Sequence, residues 1–159
     1  MIRKLQGLFL ILFIPVAGLL YYADKHDLSV QEILYPADPV MHIGDYAVYI
    51  DIADTPETRE RGLSGRNDLG GLNGLLFIFD QPDYHGIWMK EMKFAIDVIW
   101  ISEDLEVIGI TENLTPDSYP RIFEPPKKAL YAVETNPGYA ETLGINVGDK
   151  VTIPNKYLR

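Results

Sequence analysis

Short stretches of apolar residues, separated by turn-forming residues, follow one another between about residue 46 and residue 153. Residues 46–53 alternate between apolar and polar side chains, residues 75–79 form a nearly continuous apolar run, and residues 129–135 are again mostly apolar. Alternation favours a half-buried strand, and a short continuous run favours a strand that is buried on both faces. The pattern therefore predicts a strand in each of these three stretches.

A further strand is predicted over residues 97–101, which are rich in β-branched and aromatic side chains. Because side chains alternate between the two faces of a strand, Asp97 shares its face with two isoleucines. A carboxylate in that position needs a hydrogen bond or a cation, since burying an isolated charge is very costly. Lys90 and Lys93 are the nearest cations along the sequence.

Two short helices are predicted from capping signals. Thr55 is expected to be the N-cap of the first helix, and Pro56 takes the first helical position, where its missing N–H group costs nothing. Gly62 or Gly65 can end this helix in the left-handed conformation. Residues 139–143 are predicted to form a single helical turn that a following glycine stops.

The connections between the later elements are also readable. Polar residues 102–106 separate two β-like runs and predict a hairpin into residues 107–110. Residues 115–128 contain four prolines, which exclude a regular central strand or helix and predict a long loop. A turn at Gly148 leads into a last predicted strand over residues 150–153.

The N-terminal segment is predicted to anchor the chain in a membrane. Residues 5–22 carry no charge, follow Arg3 and Lys4, and would span roughly 27 Å as a helix, which is close to the hydrocarbon thickness of a bilayer. The basic flank is expected to stay in the cytoplasm, which places the rest of the chain outside. A cleavable signal peptide is the competing interpretation, although a small-x-small cleavage site is missing after the apolar run.

Length and composition limit the remaining choices. The 159 residues support one domain with an appendage, and we expect an anchor at 1–22, a tether at 23–41 and a β-rich domain at 42–155. The formal net charge of -9 opposes binding to nucleic acid, which depends on releasing counterions to Lys and Arg. The chain has no cysteine and only three histidines, so we expect no disulfide, no metal site and no cofactor.

An ordered set of motifs runs through the predicted domain. The segments are TPETRERGLSGR at 55–66, GLLFIF at 74–79, WMK at 88–90, IDVIWI at 96–101, a Glu-x-x-x-Gly block at 134–138 and a Gly-Ile-x-x-Gly-Asp turn at 144–149. Together they resemble the family of domains of unknown function called DUF192, over about residues 46 to 153. The resemblance implies a compact β-sandwich or barrel-like domain with short helices, and it implies no established activity.

Three positions depart from the usual pattern of that family. Glu91 and Met92 follow the lysine where the family usually has Asn or Asp and then Thr, and Ala95 stands where it usually has Pro. If the usual Asn and Thr serve a ligand, this chain is expected to have lost or altered that function.

The candidate binding residues combine cations, carboxylates and flat apolar surface. Arg66 can hold a carboxylate or phosphate with two parallel hydrogen bonds, and Lys90 offers a point charge beside Trp88. His85 has the chemistry of a general base, but it is interpreted as a loop residue because no nucleophile with a partner is evident. The full set is Arg66, Trp88, Lys90, Asp97, Glu134 and His85, and no catalytic residue is assigned. The competing interpretation is an ion-pair network in which Arg66 or Lys90 holds Asp97 or Glu134.

Two classes of function stay open on this evidence. The favoured class is a non-catalytic, membrane-anchored extracytoplasmic module that binds a small ligand, an envelope glycan or a protein partner. The alternative is a hydrolase or lyase in which Asp97 and Glu134 divide the acid and base roles around a substrate held by Arg66 and Lys90. Glycosidase-like chemistry would require the two carboxyl groups to face one cleft, roughly 5 to 10 Å apart.

Overall fold

The computed structural model describes residues 25, 39–69 and 73–159. The predicted anchor at 5–22 and nearly all of the predicted tether lie outside the described residues. Among the described residues, no helix is long and apolar enough to cross a membrane.

Strands dominate residues 39–69 and 73–159. Nine strands, two α-helices and two 3₁₀ turns are found there. They are β1 (Val40–Ile43), β2 (Tyr46–Ala53), α1 (Pro56–Arg61), β3 (Asn73–Asp83), β4 (Ile87–Trp88), β5 (Ile96–Ile101), β6 (Val107–Leu114), a 3₁₀ turn (Pro116–Ser118), β7 (Ile122–Phe123), β8 (Ala129–Thr135), α2 (Tyr139–Leu143), β9 (Val151–Thr152) and a second 3₁₀ turn (Asn155–Tyr157). The predicted mainly β fold with short helices is confirmed.

Seven of the strands form one sheet in the order β6-β5-β8-β3-β2-β1-β9, and β4 pairs with β7 in a separate ribbon. Only β2 and β3 run parallel among these pairs, and α1 lies in the connection between them. The sheet curls into a half-barrel. Its two edges approach each other, because the Val107 N–H group donates to the Asp149 carbonyl (2.9 Å) and the Val151 N–H group donates to the Leu105 carbonyl (2.9 Å).

The central strands of the sheet are buried on both faces. Leu76 and Ile78 of β3 pack into one apolar cluster together with Ile99 of β5, whereas Phe77 and Phe79 of β3 pack into a second cluster. All six residues of β5 and all seven of β8 are buried. The prediction of a doubly buried strand over residues 75–79 is confirmed, and two cores, one on each side of the sheet, stabilise the domain.

Helix α1 begins as the sequence predicts. Thr55 is the N-cap, and its hydroxyl accepts a hydrogen bond from the Thr58 N–H group (3.2 Å) while the Thr58 hydroxyl accepts one from the Thr55 N–H group (2.9 Å). This reciprocal pair is a capping box, which satisfies two N–H groups that the helix itself leaves free. Gly62 is the C-cap, with φ of 50° and ψ of -130°. The helix therefore ends after six residues.

The start of the domain differs from the prediction. Val40 and Met41, which the sequence pattern assigns to the tether, belong to β1, and the Met41 side chain is fully buried in the first apolar cluster. β1 pairs with both β2 and β9, so it is an integral strand of the sheet. Four residues without clear alternation are too short to be recognised as a strand from sequence.

The last third of the domain contains two smaller differences. Residues 115–128, predicted to be a loop, include a 3₁₀ turn and the two residues of β7, which pair with β4. The final strand is β9, two residues long, instead of residues 150–153, and Lys150 makes an isolated bridge to Glu106. Both differences follow from strand pairing between distant parts of the domain, which the local sequence pattern does not reveal.

Candidate functional site

A pocket of about 400 Å³ lies between α1, the end of β3 and the β4 region. Polar and apolar side chains both line it. The lining residues are Arg59, Glu60, Arg61, Gly62, Leu63, Ser64, Phe77, Phe79, Asp80, Gln81, His85, Gly86, Ile87, Trp88, Met92 and Glu134. The volume lies within the range of 300 to 1,000 Å³ that is usual for small-molecule sites.

Glu134 provides the buried polar group of this pocket. It lies on β8, and its residue is only 4% exposed. Its Oε2 atom is buried and has no hydrogen-bond partner in the part of the chain that the structure describes. Burial raises the pKa of Glu134 from 4.5 to about 8, and the positive charge of Arg66 offsets only part of that rise. At neutral pH the carboxyl group is therefore mainly protonated.

Gly62 leaves the space through which the pocket reaches Glu134. A Cβ atom at this position would lie 3.9 Å from the Glu134 Oε2 atom and 3.4 Å from the Phe77 Cζ atom. The backbone φ of +50° also disfavours other residue types. The cap that ends α1 and the approach to the buried carboxyl group thus depend on the same glycine.

Aromatic rings form one wall of the pocket. The Phe77 and Phe79 rings are stacked with centroids 6.2 Å apart, and the His85 ring lies on Phe79 at 3.7 Å, with 9° between the planes. The His85 Nε2 atom lies 2.8 Å from the Gln81 carbonyl oxygen. Because that oxygen can only accept, Nε2 carries the hydrogen. Trp88 is 39% exposed and completes the apolar lining near solvent.

Arg59 holds the helix against the sheet beside the pocket. Its guanidinium group donates to the carbonyl oxygens of Asp54 and Ile78, both at 2.8 Å, and to the Asp80 carboxylate at 2.9 Å. The Arg59 side chain is only 14% exposed. These three bonds use much of its donor capacity, so Arg59 fixes the pocket wall and its charge is balanced by Asp80.

The predicted cations lie away from the pocket. The Arg66 guanidinium group pairs with the Asp51 carboxylate of β2 at 2.7 Å, in an exposed position. Lys90 is exposed, and its backbone carbonyl accepts a hydrogen bond from the Ser64 hydroxyl at 2.8 Å. Among the described residues, no ion pair joins Arg66 or Lys90 to Asp97 or Glu134.

Asp97 lies on the other face of the sheet from Glu134. Val98, and not Asp97, is the register partner of Glu134, and directly paired residues point to the same face. Asp97 is fully buried, and its Oδ1 atom accepts a hydrogen bond from the Asn113 N–H group at 2.8 Å. The predicted partner was a lysine, but a backbone donor takes that place. The structure therefore brings Trp88, His85 and Glu134 together and leaves Arg66, Lys90 and Asp97 outside the pocket.

The departures from the family pattern fall beside the site. Glu91 has a positive φ of 58°, a conformation that Asn and Asp tolerate better than Glu. Met92 lines the pocket, where the usual Thr would present a hydroxyl group. Met92 therefore adds an apolar side chain to the lining of the pocket.

Several pocket residues are not among the sequence-based candidates. Arg59, Phe77 and Phe79 belong to this group, as does Gly62, which the sequence suggests only as a helix cap. Alternation along β3 does place both phenylalanines on one face, which is a usable signal. The role of Arg59 depends on carbonyl groups of two separate segments, so local sequence gives no signal for it.

Comparison with known proteins shows the family of the chain. The model of DUF192, described as an uncharacterized ACR, matches residues 40–153. The chain belongs to this family, whose activity is not established.

Individual relatives agree with this assignment. A UPF0127 protein of Pyrococcus furiosus is 39% identical over 67 residues, which cover 42% of this chain and 52% of the relative, so the chain spans about half the length of that protein. The crystal structure of a candidate transcription regulator from Sinorhizobium meliloti is similar with a TM-score of 0.68 and 28% identity, covering 72% of this chain and 92% of the other. A protein of unknown function from Novosphingobium aromaticivorans gives a TM-score of 0.67 and 30% identity, covering 71% and 82%.

Proposed function

We propose that this domain is a non-catalytic binding module and that a small organic ligand occupies the pocket beside α1. The observation that supports this most is the Oε2 atom of Glu134, which is buried at the pocket without a hydrogen-bond partner among the described residues. Leaving such a group unpaired costs about 1 to 3 kcal/mol. A ligand that supplies the missing partner recovers that free energy.

The shape of the pocket favours a small molecule over a glycan chain or a protein partner. Its buried polar group lies close to Gly62 and Phe77, within a volume of about 400 Å³. Phe77, Phe79 and Trp88 offer apolar surface around it. A site with apolar walls and a few placed polar groups is typical of small-molecule binding.

We also propose, from the sequence of residues 5–22, that the module is held at a membrane with its domain on the extracytoplasmic side. The uncharged segment behind two basic residues supports this location. Fractionation of cells that express the full chain, with protease added from outside, tests it. Recovery of a shortened, soluble protein would contradict the anchor.

The hydrolase or lyase alternative has no comparable support. It requires Asp97 and Glu134 to act on one substrate, and their register places the two side chains on opposite faces of the sheet. The two cations assigned to substrate binding lie outside the pocket.

A ligand screen of the purified full-length protein tests the binding proposal. We expect some small ring compounds to raise the melting temperature, because binding to the folded state alone adds stability by mass action. The same compounds should stabilise Trp88→Ala much less, since Trp88 lines the pocket. Tyr84→Ala is the matched control, because Tyr84 is a similarly exposed aromatic residue, 53% against 39%, and does not line the pocket.

Equal stabilisation of both variants by every active compound would place binding elsewhere and overturn the proposal. A screen without any stabilising compound would also count against it.

A further inference from the structure

We propose that the ligand carries a positively charged amine attached to a flat apolar ring, and that the amine binds the Glu134 carboxylate while the carboxyl proton is released to solvent. This inference rests on the proposed function, because it names the class of small molecule that the pocket takes. The ammonium ion keeps its own proton, and Glu134 gives up one proton, so charge and protons balance.

The position of the carboxyl group supports a cation. The Glu134 Oε2 atom and the Phe77 ring edge both lie within 4 Å of the point where a Gly62 side chain would begin. Phe79 and Trp88 line the same pocket. A buried carboxylate suits an ammonium group as its ion-pair partner, and the aromatic rings of the same pocket offer apolar surface to the rest of the ligand.

The charges around Glu134 point the same way. From α1, Arg59 and Arg61 oppose Glu60, and from β3 Asp80 pairs with Arg59. These four formal charges cancel. An ionised Glu134 therefore leaves one net negative charge, which a single ammonium group neutralises.

Two further groups near Glu134 do not change this balance. Arg66 acts on Glu134 from outside the pocket and is itself paired with Asp51. His85 lines the pocket and hydrogen-bonds to the Gln81 carbonyl. Across the sheet, Asp97 lies on the opposite face. Among the charged lining residues, Arg59 is paired with Asp80 and Arg61 is exposed to solvent, whereas Glu134 is buried.

The empty pocket and the occupied pocket then differ in protonation. With a pKa of about 8, Glu134 is protonated about tenfold more often than ionised at pH 7 when no ligand is bound. Binding of a cation selects the ionised form and releases close to one proton. Affinity for the cation should rise about tenfold per pH unit from pH 6 to pH 8 and level off above that.

Matched amine and alcohol compounds test this inference. Tryptamine and tryptophol share an indole ring and differ in the terminal group, as benzylamine and benzyl alcohol do around a benzene ring. Isothermal titration of the full-length protein at pH 7, in two buffers of different ionisation enthalpy, measures affinity and proton release together. We expect each amine to bind at least about tenfold more tightly than its alcohol, which is the advantage of one pKa unit of interaction.

Glu134→Gln is the specific control, because glutamine keeps the size and hydrogen bonding of the side chain but cannot ionise. In this variant the amine and the alcohol should bind equally, and proton release should disappear. The pH profile of the unmodified protein gives the same information without a substitution, so the inference does not depend on how that variant folds.

Two results would overturn the inference and can be told apart. If alcohols bind as tightly as amines, or if only a neutral or acidic compound from the wider screen binds and Trp88→Ala weakens it, the charge assignment is wrong while the pocket remains the binding site. If none of the amines, the alcohols and the compounds of the wider screen binds, both the inference and the proposed function fail.

Discussion

Asp97 and Glu134 are two buried carboxyl residues on neighbouring strands, and the sheet places them in different surroundings. Asp97 lies in the core on one face, where the Asn113 N–H group donates to it. Glu134 lies on the other face at a pocket of about 400 Å³, and its Oε2 atom has no partner among the described residues. Burial alone therefore does not identify a functional carboxyl group. Each carboxyl group has one buried oxygen without a hydrogen-bond partner among the described residues, so the adjoining pocket is what distinguishes Glu134 from Asp97.

The largest expected effect concerns the wall of the pocket. Arg59→Ala removes two hydrogen bonds that hold α1 to β3 and a third to the Asp54 carbonyl, and it leaves two carbonyl oxygens without this donor. We expect the free energy of unfolding to fall by about 3 kcal/mol, the scale of losing several bonds to a charged group in a largely buried position. Urea denaturation of the full-length protein measures it. A loss under about 1 kcal/mol would mean that Arg59 is free to act as a ligand residue.

Asp97→Ala should have the next largest effect. It removes the acceptor of the Asn113 N–H group and opens a cavity in the core, at a cost of about 2 kcal/mol. The pocket lies on the opposite face, so ligand stabilisation should be unchanged. The same denaturation series and a thermal shift with an active compound check both statements. Loss of ligand binding in this variant would break the distinction between the two carboxyl groups.

Arg66→Ala should have the smallest effect. The Arg66 and Asp51 side chains are 43% and 60% exposed, and exposed ion pairs contribute about 0 to 1 kcal/mol. We expect a change within about 0.5 kcal/mol in the same denaturation assay. A loss comparable to that of Arg59→Ala would support the ion-pair network that the sequence suggests.

Local signals in the sequence predict much of the fold. The bounds of β2, β8 and α2 agree with the predicted ranges at both ends. Alternation defines the strands, and the glycine at position 144, which ends α2 in the left-handed conformation, defines the helix. β1 escaped prediction because four residues hold too little periodic information.

The site is harder to predict, because it depends on which strands become neighbours. Glu134, Trp88 and His85 were named from sequence and do line the pocket. Arg66 pairs with Asp51 of β2, which lies 15 residues earlier in the chain, and no local pattern encodes that contact. Likewise, the opposite orientation of Asp97 and Glu134 follows from the register of β5 against β8, in which a shift by one residue would reverse it.

Glu134 is buried in its protonated form, so the stability of the folded protein depends on pH. Its pKa in the folded protein, about 8, lies above the ordinary value of 4.5. Between these values the folded state keeps a proton that the unfolded state has lost. The contribution of Glu134 to the free energy of unfolding is therefore complete below pH 4.5, falls as pH rises and levels off above about pH 8.

The most direct measurement is the free energy of unfolding of the unmodified protein and of Glu134→Gln, determined at several pH values between 5 and 8.5. The difference isolates this one group from the other titrating residues. Relative to the variant, the unmodified protein should lose about 1.4 kcal/mol per pH unit up to pH 8 and nothing further above it. A difference that stays constant with pH, or that rises with it, would show that Glu134 is ionised or paired in the folded protein and would contradict the account.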